Sequence, residues 1–411
     1  MKTVARFSAT ACALAFSCTS FASTLTVNIA FKGANQRAVW ESVIGDFQKA
    51  NPGVTVKTAF IEEEAYKVQL PAWLTTVAPD IVKWHEGERM RYYAQRGLLE
   101  DVSADWVQQG WVRDFASLKA ASSYNGKQYA LPTDYFSWGL FYRKDLFAKV
   151  GIKSEPKTWD EFITACKKLR AAGIAPIALG GRDAWTLAAW FDYLDYRING
   201  YAFHNQLMNG KVAYTDPRVR KVFAEWKKMI DQKFFIDNPL AYSLDSVQPL
   251  FNQGNAAMTL MGTFLSAGLP PQVKAQTGYF QFPVIDRTIP IAEDGSAECL
   301  NIPARAKNKV DARKFLAFVG QPAISGRLAK AFGSLPANRR APVPADPIAR
   351  RGFEILAHTT GGIGQFYDRD MTKEMADESM KGMQRFISEP TRIGEILSQL
   401  ESTRQRIYKT R

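Results

Sequence analysis

Apolar and polar positions alternate from Leu25 to Ala30, which predicts a buried strand near the start of the chain. After a polar turn, Trp40, Val43, Ile44 and Phe47 recur at helical spacing until Asn51-Pro52-Gly53 stops them. Val54–Phe60 reads as a second strand, Glu62–Val77 as a helix and Asp80–Trp84 as a third strand. Glu88–Arg96 then returns as a helix capped by Gly97. Strands and helices in alternation predict a parallel sheet with helices on its faces. Ligands of such sheets sit beyond the carboxyl ends of the strands. The loops Phe31–Gln36, Ile61–Tyr66 and Trp84–Arg89 are therefore expected to face one place.

The pattern changes over Tyr124–Ile152. Asn125-Gly126 predicts a hairpin turn. A short run to Pro132 follows, then Thr133, Asp134 and Tyr135, a strand Gly139–Arg143 and a helix ended by Gly151. An apolar run broken by proline and polar residues in mid-chain fits a crossover between two lobes. A second α/β run begins beyond it. Thr158 and Glu161 have the spacing of a capping box, and Asp216-Pro217 opens a helix whose apolar face carries Val222, Phe223, Trp226 and Ile230. Ile177–Leu179 and Ala257–Met261 read as strands of this run, Ala184–Gly200 as an aromatic-rich helix. Gly278–Pro283 and Cys299–Pro303 read as return strands, and the last third as helical with an amphipathic tail over Asp370–Arg411.

With 411 residues, 46% of them hydrophobic, the chain can bury more than one core. Lys2 and Arg6, the apolar stretch Phe7–Phe16 and Ser20-Phe21-Ala22 together predict a signal peptide over 1–22, cleaved after Ala22. Cleavage would lower the net charge from +13 to +11 and remove Cys12 and Cys18. Cys166 and Cys299 remain, either free or paired. The three histidines are scattered, so no metal motif forms and no cofactor is expected. Basic residues are spread along the chain without interleaved aromatics, which argues against nucleic acid and for diffuse surface charge or an anionic solute. Nucleophile-elbow and phosphate-loop motifs are absent, and acidic runs such as Glu62-Glu63-Glu64 read as solvated faces, so catalysis is not expected.

Several segments in register resemble one family. Asn125-Gly126-Lys127 with Tyr129-Ala130, Pro132 and the later Tyr142-Arg143-Lys144-Asp145-Leu146-Phe147 is similar to the first hinge strand of extracellular solute-binding proteins of ABC importers, in the carbohydrate-type, maltose-binding-like branch. Pro79–Trp84, Gly97–Glu100, Phe251–Phe264 and Lys307-Asn308-Lys309 before Phe315-Leu316 carry the likeness along nearly the whole mature chain. It implies an α/β, two-lobe periplasmic binding protein fold of type II-like build, each lobe a mostly parallel sheet flanked by helices and joined by hinge crossings. The expected lobes are 23–132 with 284–320, and 133–283 with 321–411. The implied function is to capture a carbohydrate between the lobes and deliver it to an ABC transporter permease, as a periplasmic monomer. An anionic sugar or polyol, suggested by Lys32, Arg182 and the sequence pI near 9.4, and a secreted carbohydrate-active enzyme are the alternatives.

A bound sugar stacks its C–H faces on aromatic rings and pairs its hydroxyls with charged or amide groups. On that chemistry the resemblance points to Lys32 and Tyr66 in the first two loops. Trp84 is the stacking platform, followed by His85 and Glu86. Asp134 and Trp138 lie at the hinge, and Arg182 and Trp185 open the aromatic helix. Gly262, Thr263 and Phe264 follow a strand, and Glu298 and Arg339 are added by position. The reading requires an interlobe groove lined by Trp84, Asp134 and Phe264.

Overall fold

The computed structural model describes residues 23–31, 33–343 and 345–408. The expected leader 1–22, with its cleavage after Ala22, and Lys32 lie outside the described residues.

Strand Ser23–Phe31 buries alternate residues and pairs in parallel with Val54–Glu62 along its whole length and with Ile81–His85 on its other side. The six-stranded sheet runs Leu335–Pro336, Leu131–Tyr135, Ala297–Asn301, Ile81–His85, Ser23–Phe31, Val54–Glu62. Its first three strands return antiparallel to their neighbours. The four-stranded sheet runs Thr277–Phe280, Trp138–Arg143, Ala256–Gly262, Ala175–Ile177, and only its last pair is parallel. Both sheets are thus mixed rather than mostly parallel, because each lobe takes in strands that come back from the other lobe without a helical crossover.

Local signals fix many boundaries. The Thr158 hydroxyl accepts from the Glu161 amide while the Glu161 carboxylate accepts from the Thr158 amide. Asp216 caps the helix Pro217–Asp231 through the Arg218 amide. Asn125 and Gly126 both adopt positive φ in the predicted hairpin.

Strands Leu131–Tyr135 and Trp138–Arg143 belong to different sheets and are separated only by Phe136 and Ser137, so the chain crosses between lobes there. Two further crossings lie between Phe280 and Ala297 and between Pro336 and Ile348. They shift the expected boundaries. Helix Pro322–Phe332 carries Ile324, Leu328 and Phe332 into the first-lobe core, where Phe332 packs 6.3 Å from Trp40, so the final return falls after Ala337 rather than at 321. Val284 bridges to Thr158 and Ala292 joins the second core, so 284–292 stay with the second lobe. Cys166 and Cys299 are buried and free, in different cores. Among the described residues no helix is long and apolar enough to cross a membrane.

Candidate functional site

The carboxyl ends of the first-lobe strands meet the second lobe around a narrow cavity of about 30 Å3, room for a water molecule or two. Glu63, at the start of the helix after the second strand, Lys67 one turn on, and His85 at the end of the third strand form its first-lobe wall. Trp138, Trp185, Phe264 and Phe366 face them, with Phe136 and Ser296 from the crossings and Asp368 and Arg369 completing the lining.

The aromatic rings meet at steep angles. Trp138 stacks on Phe366 at 4.6 Å between centroids, while Trp185 and Phe264 present edges to Trp138 at 6.1 and 5.9 Å. Phe136 meets Phe264 edge-on at 5.0 Å. Such a corner offers both ring faces and ring edges to the C–H surface of a ligand. Trp185 and Phe264 are half-buried, whereas Trp138 and Phe366 are buried behind them.

Behind the first-lobe wall runs a buried ionic network centred on Glu298. The Lys83 ammonium donates to Glu298 Oε2 at 2.7 Å, and Arg369 Nη2 donates to Oε1 at 2.9 Å. His85 lies between two carboxylates, with Nδ1 3.1 Å from Glu298 Oε1 and Nε2 3.1 Å from Glu63 Oε1. Arg369 also donates to the Ala297 carbonyl, and Arg89 donates to the carboxylate and carbonyl oxygens of Asp368. These contacts tie the turn Tyr367–Arg369, which is rooted in the second-lobe core, to the first lobe. Gly87 permits the approach: a Cβ there would stand 2.5 Å from the Arg369 carbonyl oxygen, on a backbone already at positive φ. Burial alone would push the Asp368 carboxyl up, but Arg89, Arg369, His85 and Lys67 outweigh it and hold the group at about 2. Burial disfavours the Lys83 charge, yet Glu298, Glu63 and Asp134 raise its pKa above the ordinary value.

Of the residues chosen from sequence, His85, Trp138, Trp185 and Phe264 line the cavity, and Glu298 holds His85 from behind. Gly262 and Thr263 lie just under the Phe264 ring; the Thr263 amide donates to Ser137 and its side chain is buried. Tyr66 is enclosed in the core, its hydroxyl donating to the Asn28 carbonyl. Trp84 stacks on Tyr66 and donates to the Arg89 carbonyl; it borders an outer groove rather than the cavity. Successive strand residues point to opposite faces, so with Lys83 and His85 directed at Glu298, Trp84 turns away. Glu86 accepts from the Ser122 hydroxyl at 2.5 Å, and its burial raises it to about 8. Asp134 is also behind the wall, raised by burial to about 6 although Lys83 opposes the shift. Of the three residues required at the groove, then, Phe264 lines the inner cavity, Trp84 only the outer groove, and Asp134 neither. Arg182 is exposed at that outer groove. Arg339 is exposed on the first lobe, its amide donating to Asp114, remote from the cavity lining.

Sequence reading missed Glu63, Lys67, Phe136, Ser296, Phe366, Asp368 and Arg369. The only signal for the last three was a dense Phe-Tyr-Asp-Arg-Asp run just before the amphipathic tail. Among the described residues no group of three or more His, Cys, Asp and Glu side chains is arranged to hold a metal ion.

A profile of the bacterial extracellular solute-binding proteins matches residues 33–324. An uncharacterised ABC transporter extracellular-binding protein of Pyrococcus horikoshii is 26% identical over 78% of this chain and 74% of its own. The multiple sugar-binding protein of Streptococcus mutans is 23% identical over 69% of this chain and 68% of its own. Among solved structures, a bacterial solute receptor with a preference for β-D-galactopyranose superposes with a TM-score of 0.86 at 24% identity, covering 95% of this chain and 99% of that one. A chitin oligosaccharide binding protein does so with a TM-score of 0.85 at 24% identity, covering 93% and 98%.

Proposed function

Because this chain belongs to the family of bacterial extracellular solute-binding proteins, we propose that it is a periplasmic receptor that captures a carbohydrate between its lobes. It presents that cargo, chemically unchanged, to the membrane permease of an ABC importer, and it works as a monomer. The lobes in this reading are 23–135 with 297–337, and 138–292 with 348–408.

One observation carries the reading: an aromatic corner from the second lobe faces charged hydroxyl-binding groups from the first across a single small cavity. Neither half suffices alone. Stacking needs the rings and orientation needs the polar wall, so a ligand touching both favours the closed arrangement over the open one. The sugar-binding names among relatives point the same way.

The charge pattern favours a neutral sugar. Arg369 and Lys83 already face Glu298, and Arg89 faces Asp368, so an added anion would have to displace a carboxylate from its cation. Isothermal titration of the mature protein with neutral sugars and their phosphorylated or sulfonated counterparts tests this. Neutral sugars are expected to bind and the charged ones to bind more weakly. Preference for the charged forms, lost on adding salt, would reverse the assignment. Trp185→Ala should weaken the bound sugar by about 1–3 kcal/mol through lost stacking, with little change in melting temperature because Trp185 is only half-buried. Unaltered affinity would remove Trp185 from the site.

A further inference from the structure

Between Arg143 and Arg170 the second lobe carries eight lysines and arginines against four acids. Three of the acids are engaged close by. Asp145 pairs with Arg143, Glu155 accepts from the Tyr142 hydroxyl at 3.0 Å, and Glu161 accepts the amides of Lys157 and Thr158. The cations are not so engaged. Lys144, Lys149, Lys153, Lys157 and Lys168 are all exposed, and none forms an ion pair among the described residues. Their placement makes a ridge. Helices Lys144–Lys149 and Trp159–Ala171 flank the loop between them, and an open groove runs along each side of Gly151–Ser154. Lys144 and Lys153 line one groove, Lys153 and Lys168 the other, the second shared with Asp160 and Glu161. At the base of the loop, Trp159 stacks on Phe162 and Phe282 and donates to Glu225 at 2.7 Å, which fixes the ridge to the core. Helix Pro217–Asp231 shows the ordinary alternative, with Lys227 paired to Asp231 and Lys228 to Glu225. Unbalanced charge of one sign repels itself instead, and the ridge bears that cost.

Resting on the receptor reading above only to place the protein beside a membrane, we propose that this lysine ridge docks on an anionic lipid surface. The chemistry of the ridge favours a bilayer over a folded acidic partner. All five exposed cations are lysines, compact charges on flexible stems that follow mobile headgroup phosphates. Fixed carboxylates of a protein partner are better gripped by the planar fork of arginine. Protein interfaces also centre on buried aromatic or aliphatic anchors. Among the described residues, no large hydrophobic side chain of this segment is exposed to serve as one. Attraction of the lysines to anionic headgroups adds up over those near the surface and fades within ~10 Å at ordinary salt. Held this way, the second lobe keeps the receptor in the plane where a permease is found.

Flotation of the mature protein with lipid vesicles, in the absence of any sugar, tests the assignment. Vesicles of roughly 30% phosphatidylglycerol in phosphatidylcholine should carry the protein at about 50 mM salt and release it at about 500 mM. Pure phosphatidylcholine should not bind it. Lys149→Glu, Lys153→Glu and Lys157→Glu together should lower the partition into anionic vesicles by about ten-fold or more. Lys57→Glu, Lys119→Glu and Lys307→Glu make the same change of charge at exposed first-lobe lysines without ion pairs, and should lower it by no more than about two-fold. Both triple variants should melt as the natural chain does, because all six side chains are exposed. Equal losses in the two variants would make net charge the cause and overturn the ridge as the docking surface. So would failure to float with anionic vesicles at low salt. Binding to immobilised polyglutamate but not to vesicles would assign the ridge to an acidic protein and overturn the lipid assignment. Each of these failures leaves the receptor reading standing, since that reading is tested by sugar titration.

Discussion

At the cavity wall, Glu298 and Asp368 are buried against Lys83, Arg369 and Arg89, whereas deeper in the second lobe Asp192, Asp294 and Asp370 lie in one another's field, with Arg369 acting on Asp294 and His204 and Arg91 on Asp370 through space. Both regions are equally dry. At the wall, cations overcome burial, and Asp368 stays ionised down to about 2. In the second lobe, burial wins: Asp294 rises to about 7, Asp370 to about 6, and Asp192 well above its ordinary value. Asp294 Oδ1 accepts from the Ser296 amide, but its Oδ2 has no hydrogen-bond partner among the described residues. Asp192 Oδ1 is 3.7 Å from His204 Nε2, too far for a hydrogen bond. Burial does not decide charge state by itself: Arg89, hydrogen-bonded to Asp368, outweighs it with its neighbours, whereas Lys83 acting on Asp134 and Arg369 acting on Asp294 do not.

Glu298→Gln attacks the compensated region at its hub and should have the largest effect. It leaves Lys83 and Arg369 buried without their carboxylate, a situation that costs about 3–5 kcal/mol. Chemical denaturation should show that loss, with ligand affinity falling as His85 is released. A loss below about 1 kcal/mol would mean that the network is far better hydrated than its burial indicates.

Asp294→Asn sharpens the other side of the comparison. The ordinary carboxyl value is 3.8, and in the fold Asp294 titrates near 7. Between those values the folded protein holds a proton that the unfolded chain has released, so this group's contribution to stability falls as pH rises from about 4 to about 7. Asparagine keeps an acceptor for the Ser296 amide and cannot ionise. Relative to the natural chain, the variant should gain about 2–3 kcal/mol between pH 5 and pH 8, because roughly two pH units of that range lie below the folded value and each represents ~1.4 kcal/mol. Paired thermal melts across that range measure the difference. Parallel curves would place the ionisation of Asp294 outside this window.

What could be read in the sequence follows the same division between local and distant causes. The capping box at Thr158, the Asp216-Pro217 helix start and the Asn125-Gly126 turn are set by residues within four positions of one another, and the structure contains each of them. The sequence marked the third strand but could not say which of its faces meets the second lobe, so the expected site took Trp84, His85 and Glu86 together, and of these only His85 lines the cavity. The turn Tyr367–Arg369 was invisible for another reason. Its bond from Arg89 to Asp368 spans 279 residues, and nothing near either residue announces the other. The aromatic corner was more legible, because Phe264 ends a segment carried by the family resemblance, Trp138 lies within the hinge stretch of another, and Trp185 opens a helix after two glycines.

The smallest effect is expected at Arg339, and it bounds the comparison from the solvent side. Its neighbour Arg340 reaches the buried Asp114 carboxylate at 2.5 Å, while Arg339 contributes its backbone amide to the Asp114 carbonyl and leaves its own side chain exposed. Alanine keeps that amide. An exposed charge in water is screened within about 10 Å at ordinary salt, so its field should not register in the cavity. Arg339→Ala should change stability by no more than about 0.5 kcal/mol and leave the dissociation constant of the bound sugar within about two-fold, or ~0.4 kcal/mol. Denaturation and titration side by side with Glu298→Gln would measure both. A ten-fold change at Arg339, about 1.4 kcal/mol, would show that surface charge acts on the site over a distance, and burial with a facing partner would no longer account for which charges matter.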